Sequence, residues 1–307
     1  MKVSNATSSK TAPADESSAA SGESSSSTGE HFRLTGPSLP LDSRIHAFRR
    51  DLADIDLAGQ IIAPHYARRL LRSCGSRAAF VWPNPKTEGD AVSELLPGED
   101  FAVLEYAGGW AWGYGAGDHV VGYVEAIALT DPIPATHIVC EKFAPVAADE
   151  HITSPLLASL PMGSRLHGDE HGPCLTTEYG CVSSSHLRPI GEHEEDPVIV
   201  AERLIGAPYL PGGRTLNGID GAGLVQLALI LCGMPAPRLA DQQRLLGTEI
   251  APGTPLRRGD LVLCDGDAGL MVDDLLVIHA CPKSGKVTVD PVALLDTPGL
   301  VRRRLAL

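Results

Sequence analysis

The chain has 307 residues, of which 43% are hydrophobic, enough for about two or three domains with real cores. Its 25 basic against 38 acidic residues leave a net charge of −13, which argues against nucleic acid or an anionic membrane surface as partner. No stretch is long and apolar enough to span a bilayer.

Residues 1–36 are rich in Ser, Ala, Glu and Gly and hold no aromatic before Phe32. Such a segment buries too little surface to order itself, so a disordered tail is expected; it has no apolar core of a secretory signal. Over 37–70, Ile45, Phe48, Leu52 and Ile55 recur at helical spacing behind Asp42 or Ser43 as cap, with Gly59 at the end. That pattern predicts a short helix in a helical lead-in. From 71 to 132 the texture changes to short apolar runs split by Gly and Pro, predicting strands at 78–82, 92–96, 101–106, 109–114 and 120–124. Trp110 and Trp112 alternate on one of these, so one of them is expected in a core. A second, weaker set of strands is expected over 133–192. There His167, His171, Cys174 and Cys181 carry metal-binding groups, but their spacing follows no zinc knuckle, and Gly168 and Gly172 read as a hairpin turn; no metal is expected. Seven cysteines at scattered positions give no disulfide framework and fit a reducing compartment, so a cytoplasmic location is expected.

Residues 193–307 hold the most informative segment. Residues 208–238 read PYLPGGRTLNGIDGAGLVQLALILCGMPAPR. The run from Leu224 to Leu231 is apolar on nearly every face and predicts a buried helix, ended by Gly233 and Pro235. Asp220 stands just before its first turn, where a carboxylate caps free amides and meets the positive end of the dipole. A cysteine at 221 would be held as thiolate there, but position 221 is glycine. Further on, residues 258–271 read RGDLVLCDGDAGLM and residues 275–280 read LLVIHA, two neighbouring strand patterns carrying Asp267 and His279.

These segments resemble the nucleophile and base motifs of the NlpC-type cell-wall cysteine peptidases. The chain keeps Tyr209, Gly212, Gly213, Gly218, Ile219, Asp220, Gly223, Leu224, Val225 and Gln226 of the first motif. It has Gly221 in place of the family's cysteine, Ala222 in place of the following serine and Pro211 in place of the tryptophan. The position of the general-base histidine holds Asp267, while the residue that orients the base is retained as His279. In the family the aspartate, serine and tyrosine receive the substrate's free amine; by position these are Asp220, Ala222 and Tyr209. The upstream strands resemble bacterial SH3-like modules, and two such barrels before a catalytic-type domain is the layout of the gamma-D-glutamyl-L-amino-acid peptidases. The barrel turn that usually supplies an aromatic reads Asp118, His119, Val120, Val121, Gly122, Tyr123 here.

The resemblance implies an α+β fold: a papain-like NlpC-type domain over 193–307, preceded by all-β SH3-like barrels over 71–132 and 133–192. It also implies a catalytically inactive relative of murein-peptide peptidases, because a glycine cannot attack and an aspartate titrating near ~4 is a poor base for a thiol. A murein-derived peptide or a protein partner is the expected ligand, with no cofactor. Two alternatives stand beside this: a residual cysteine hydrolase with the nucleophile relocated to Cys264 or Cys281, and a structural partner of an active paralogue. Cys232, about three turns down the helix, is too far from its start to substitute.

Overall fold

The computed structural model describes residues 41–132, 134–151, 154–264, 267–295 and 299–306. The expected tail over 1–36 lies outside the described residues. The chain is mostly strands, with three α-helices among the described residues, Pro197–Glu202, Gly221–Leu231 and Ala240–Gln243.

The helix expected in the lead-in does not form. Leu52–Asp54 is a strand pairing in parallel with His65–Ala67, joined by a 3-10 turn at Ile55–Leu57. The residues that go inside are Ala47, Ala53 and Leu57, whereas Ile55 is exposed. Tertiary packing decides this against local spacing: Ala47, Leu52 and Ala67 cover Trp112 and Tyr114 on the outer face of the first barrel. The buried Tyr114 hydroxyl donates to Asp54 at 2.8 Å, and the Arg49 guanidinium lies 4.5 Å over the Trp112 ring.

The first barrel is a five-stranded sheet in the order Val121–Glu125, Trp110–Gly115, Asp100–Ala107, Leu70–Cys74, Leu129–Thr130, with Ala79–Val81 and Ser93–Leu95 paired beside it. Strand alternation sends Phe101, Val103, Ala111 and Val124 into one core and Trp112 and Tyr114 to the other face. A second all-β unit follows, with a three-stranded and a five-stranded sheet around Val139, Val146, Leu160, Leu175 and Val182. Cys174 and Cys181 lie on its neighbouring strands and are joined by a disulfide, contrary to the expectation of no disulfide framework. Their separation of seven residues is spanned by one tight hairpin, which brings the two strands side by side.

The C-terminal domain is a six-stranded antiparallel sheet in the order Thr248–Glu249, Val301–Arg304, Leu261–Cys264, Asp267–Met271, Leu276–Cys281, Lys286–Pro291. The central helix Gly221–Leu231 packs on it through Leu224, Leu227, Ala228 and Leu231, against Leu261, Leu270, Ile278 and Ala280. Of its eleven residues, Ile230 alone is not fully buried, as the apolar run demands. The Met234 N–H closes onto the Leu229 carbonyl at 2.9 Å and Gly233 takes a φ of +75°, the left-handed turn that ends such helices.

One buried ion pair ties the first barrel to this domain. Arg214, 3% exposed, donates to both oxygens of Glu99 at 2.6 and 3.0 Å and to the Glu94 carbonyl at 2.8 Å. The Glu94 carboxylate accepts the Arg214 backbone N–H at 2.7 Å, and burial pushes its carboxyl up to about 6. On the same side, Gln226 of the central helix donates to Asp118 in the barrel turn at 3.1 Å.

Candidate functional site

The short hairpin Arg214–Thr215 with Gly218–Ile219 delivers Asp220 to the start of the central helix. Asp220 is extended and its carboxylate is fully engaged. Oδ1 accepts the Gly223 N–H at 2.7 Å, the expected cap. Oδ2 accepts the Gly212 N–H at 2.8 Å and Nη2 of Arg238 at 2.7 Å. Arg238 is 3% exposed, so this is a buried ion pair. No local pattern in the sequence marks Arg238; it follows the helix by a loop and reaches back only in three dimensions.

Gly221 and Ala222 are buried behind this cap, and the Ala222 carbonyl accepts the Gln243 side-chain amide at 2.9 Å. Facing Gly221 is the start of the strand Asp267–Met271. An ideal β-carbon on Gly221 would overlap Asp267 Oδ1 and would stand 2.6 Å from the Ala268 carbonyl oxygen and 2.7 Å from its nitrogen. The space a side chain at 221 needs is therefore occupied by the side chain at 267 and by strand backbone.

Asp267 Oδ1 also accepts its neighbour's N–H, from Ala268 at 2.8 Å. Its Oδ2 faces His279 Nδ1 at 3.1 Å, and His279 Nε2 faces Asp290 Oδ2 at 3.2 Å. His279 is 2% exposed. Burial opposes its protonation, but the hydrogen bond and charge of Asp267, with Asp290 behind them, raise the imidazole above its ordinary 6.5. An imidazolium between two carboxylates donates through both nitrogens and has no lone pair left to act as a base. Asp290 was not singled out in the sequence, where it reads as one polar residue in a strand.

Tyr209 is half-buried beside this cluster. Burial, and then the nearby Asp220 and Asp267 charges, hold its phenol above the ordinary 10. The structure thus brings Tyr209, Asp220, Gly221, Ala222, Asp267 and His279 to one place. It also gives each acidic residue a basic partner, Arg238 for Asp220 and His279 for Asp267. In the barrel turn, His119 adopts a φ of +60° and stacks on Tyr114 at 5.4 Å.

Of the two cysteines considered for relocated chemistry, Cys264 is buried at the end of its strand and Cys281 is partly exposed at the end of the next hairpin. Burial would raise the Cys281 thiol; hydrogen bonds from Ser284 and Lys283 and the charge of His279 outweigh that and lower it below 9. A cavity of about 460 Å³ opens on another side of the central helix, at its junction with the first barrel, between Glu99, Asp118, Arg214, Gln226 and Met234.

Comparison with known proteins supports the fold and the family. Residues 206–295 match the NlpC/P60 family, and residues 81–129 match the bacterial dipeptidyl-peptidase Sh3 domain. Dipeptidyl-peptidase 6 of Lysinibacillus sphaericus is 27% identical over 257 residues, which span 74% of this chain and 93% of that protein. A crystal structure of an NlpC/P60 family protein from Bacillus cereus has the same fold, with a TM-score of 0.66 at 15% identity, over 78% of this chain and 100% of that one. In this chain the SH3-like match precedes the NlpC/P60 match.

Proposed function

We propose that this chain, a member of the NlpC-type cell-wall peptidase family, is a catalytically inactive form that binds a murein-derived peptide or a protein partner instead of cleaving it. The observation that carries this reading is the overlap between a β-carbon at Gly221 and Asp267. The position of the nucleophile has no reactive atom, and the room for one is taken by the residue that stands where the base would be. The remaining histidine is held between two carboxylates, and position 221 offers it no thiol. The cavity of about 460 Å³ beside the central helix offers polar groups and room for a short peptide.

The test is incubation of the full chain with peptides containing L-Ala-gamma-D-Glu, with product release followed by mass spectrometry. No release above background is expected.

A second reading is favoured by one observation, the accessible Cys281 whose thiol is lowered beside His279. It predicts slow hydrolysis lost on alkylation and in Cys281→Ser. Turnover with that behaviour would replace the first reading.

A further inference from the structure

We propose that His279, Cys281 and Asp290 form a binding site for one zinc-class divalent cation. The inference stands apart from the reading above, since such a site needs neither hydrolysis nor a peptide ligand.

The fold assembles the three groups from two adjacent strands. His279 and Cys281 are two apart on Leu276–Cys281 and project to the same face of the sheet. The antiparallel register sets His279 opposite Thr288 and Val277 opposite Asp290, which makes Asp290 the diagonal neighbour of His279 on that face. The donor atoms of all three residues lie within 4.8 Å of one another. A metal at about 2.0–2.3 Å from each ligand draws such atoms together by small side-chain rotations.

The donor set is one imidazole nitrogen, one thiolate and one carboxylate oxygen. Calcium and magnesium take oxygen donors, whereas a mixed N, S, O set suits a borderline-soft ion such as zinc. The outer shell is already in place. Asp267 Oδ2 holds His279 Nδ1 at 3.1 Å, which directs Nε2 to the Asp290 side, the carboxylate–histidine arrangement that supports metal-bound imidazoles. The Ser284 N–H points at Cys281 Sγ at 3.4 Å, a donor that suits a thiolate. His279 is buried while Cys281 and Asp290 are partly exposed, so an ion can enter from solvent and keep a water as its fourth ligand. On binding, Cys281 gives up its thiol proton and His279 its Nε2 proton to solvent. Spacing alone hides this site: the third ligand lies nine residues beyond the second and belongs to another strand.

The full chain, stripped with a chelator, is titrated with zinc in competition with a chromophoric chelator, and separately with cobalt. One zinc per chain is expected, with a thiolate-to-cobalt charge-transfer band. Cys281→Ser should abolish that band, and Cys281→Ser and Asp290→Asn should each weaken zinc by more than about 10-fold; Asp267→Asn, acting through His279, should weaken it about 10–100-fold. Cys232→Ser, at the cap that ends the central helix, should change nothing. Thermal unfolding of the metal-free variants checks that each folds. If a variant does not fold, the cobalt spectrum of the unsubstituted chain decides, and a spectrum without a thiolate band overturns the site. Failure to retain zinc, or retention unchanged by both ligand substitutions, also overturns it.

Discussion

Gly221 and Asp267 are complementary: the carboxylate of one fills the volume that a β-carbon on the other would claim. The two departures from the peptidase pattern are therefore one structural unit, not two separate losses. Helix and strand approach more closely than a side chain at 221 permits, since the Ala268 backbone also stands within 2.7 Å of that position.

A double-substitution cycle measures this coupling. Alanine is the better helix former by about 1 kcal/mol, so Gly221→Ala would stabilise an uncrowded helix. Here overpacking against strand backbone should dominate and destabilise the chain by about 2 kcal/mol. Asp267→Ala in the same chain should recover part of that loss, because one of the overlapping groups is removed. Gly221→Cys should be destabilised likewise and remain without hydrolytic activity. Denaturant unfolding of the four proteins reads the coupling, and a more stable Gly221→Ala would show that the helix start is looser than described.

Glu94 gives the fold a pH dependence of known sign. Its carboxyl is raised from an ordinary 4.5 to about 6, by burial first, against the pull of Arg214 and Arg238. The folded chain therefore holds a proton there more tightly than the unfolded one. The stabilisation is complete below about 4.5 and is lost as pH rises through about 6. Glu94→Gln keeps a carbonyl to accept the Arg214 N–H and removes the buried charge. It should unfold at a higher temperature than the parent at pH 8, by the equivalent of about 2 kcal/mol, and the difference should shrink toward pH 5. An offset that does not change with pH would mean that Glu94 is not the titrating group.

The barrel-to-domain tie should be costly to break. Glu99→Gln removes the counter-ion of an arginine that is 3% exposed, and a loss of about 3 kcal/mol is expected. Replacing Arg214 by Met together with Glu99 by Leu should cost less than Glu99→Gln alone, since it leaves no buried arginine without its counter-ion. The melting temperatures of the two variants and the parent check the order.

What the sequence made legible was local in kind. The five strand runs of the first barrel, the buried helix from Leu224 and its Asp220 cap depend on patterns within a few residues, and each has its counterpart at Ala79–Val81, Ser93–Leu95, Asp100–Ala107, Trp110–Gly115, Val121–Glu125 and Gly221–Leu231. The lead-in departs from its helical spacing because its burial is set by Trp112 and Tyr114, far along the chain. Arg238, Asp290 and the overlap of Asp267 with Gly221 were invisible for the same reason. Each is a contact between segments that the fold brings together, and no residue-type pattern encodes it. The Cys174–Cys181 pair shows the limit of counting: an odd total says nothing about whether two of the seven face each other across a hairpin.

Asp220 decides how a peptide would be read. As a cap alone it could be exchanged for asparagine at little cost. Its Oδ2 also receives the Gly212 N–H and the buried Arg238, and an asparagine amide there would turn donors toward donors. Asp220→Asn should therefore destabilise the chain by about 3 kcal/mol, the cost of leaving an arginine unpaired. The same pairing bears on recognition. A substrate amine would have to compete with a guanidinium already seated 2.7 Å from the carboxylate. Calorimetry with a free and an N-acetylated murein dipeptide should give equal affinities, or none for either, and Asp220→Asn should not separate them. A strong preference for the free amine, abolished by Asp220→Asn in a chain that still folds, would show that Asp220 leaves Arg238 to receive the ligand.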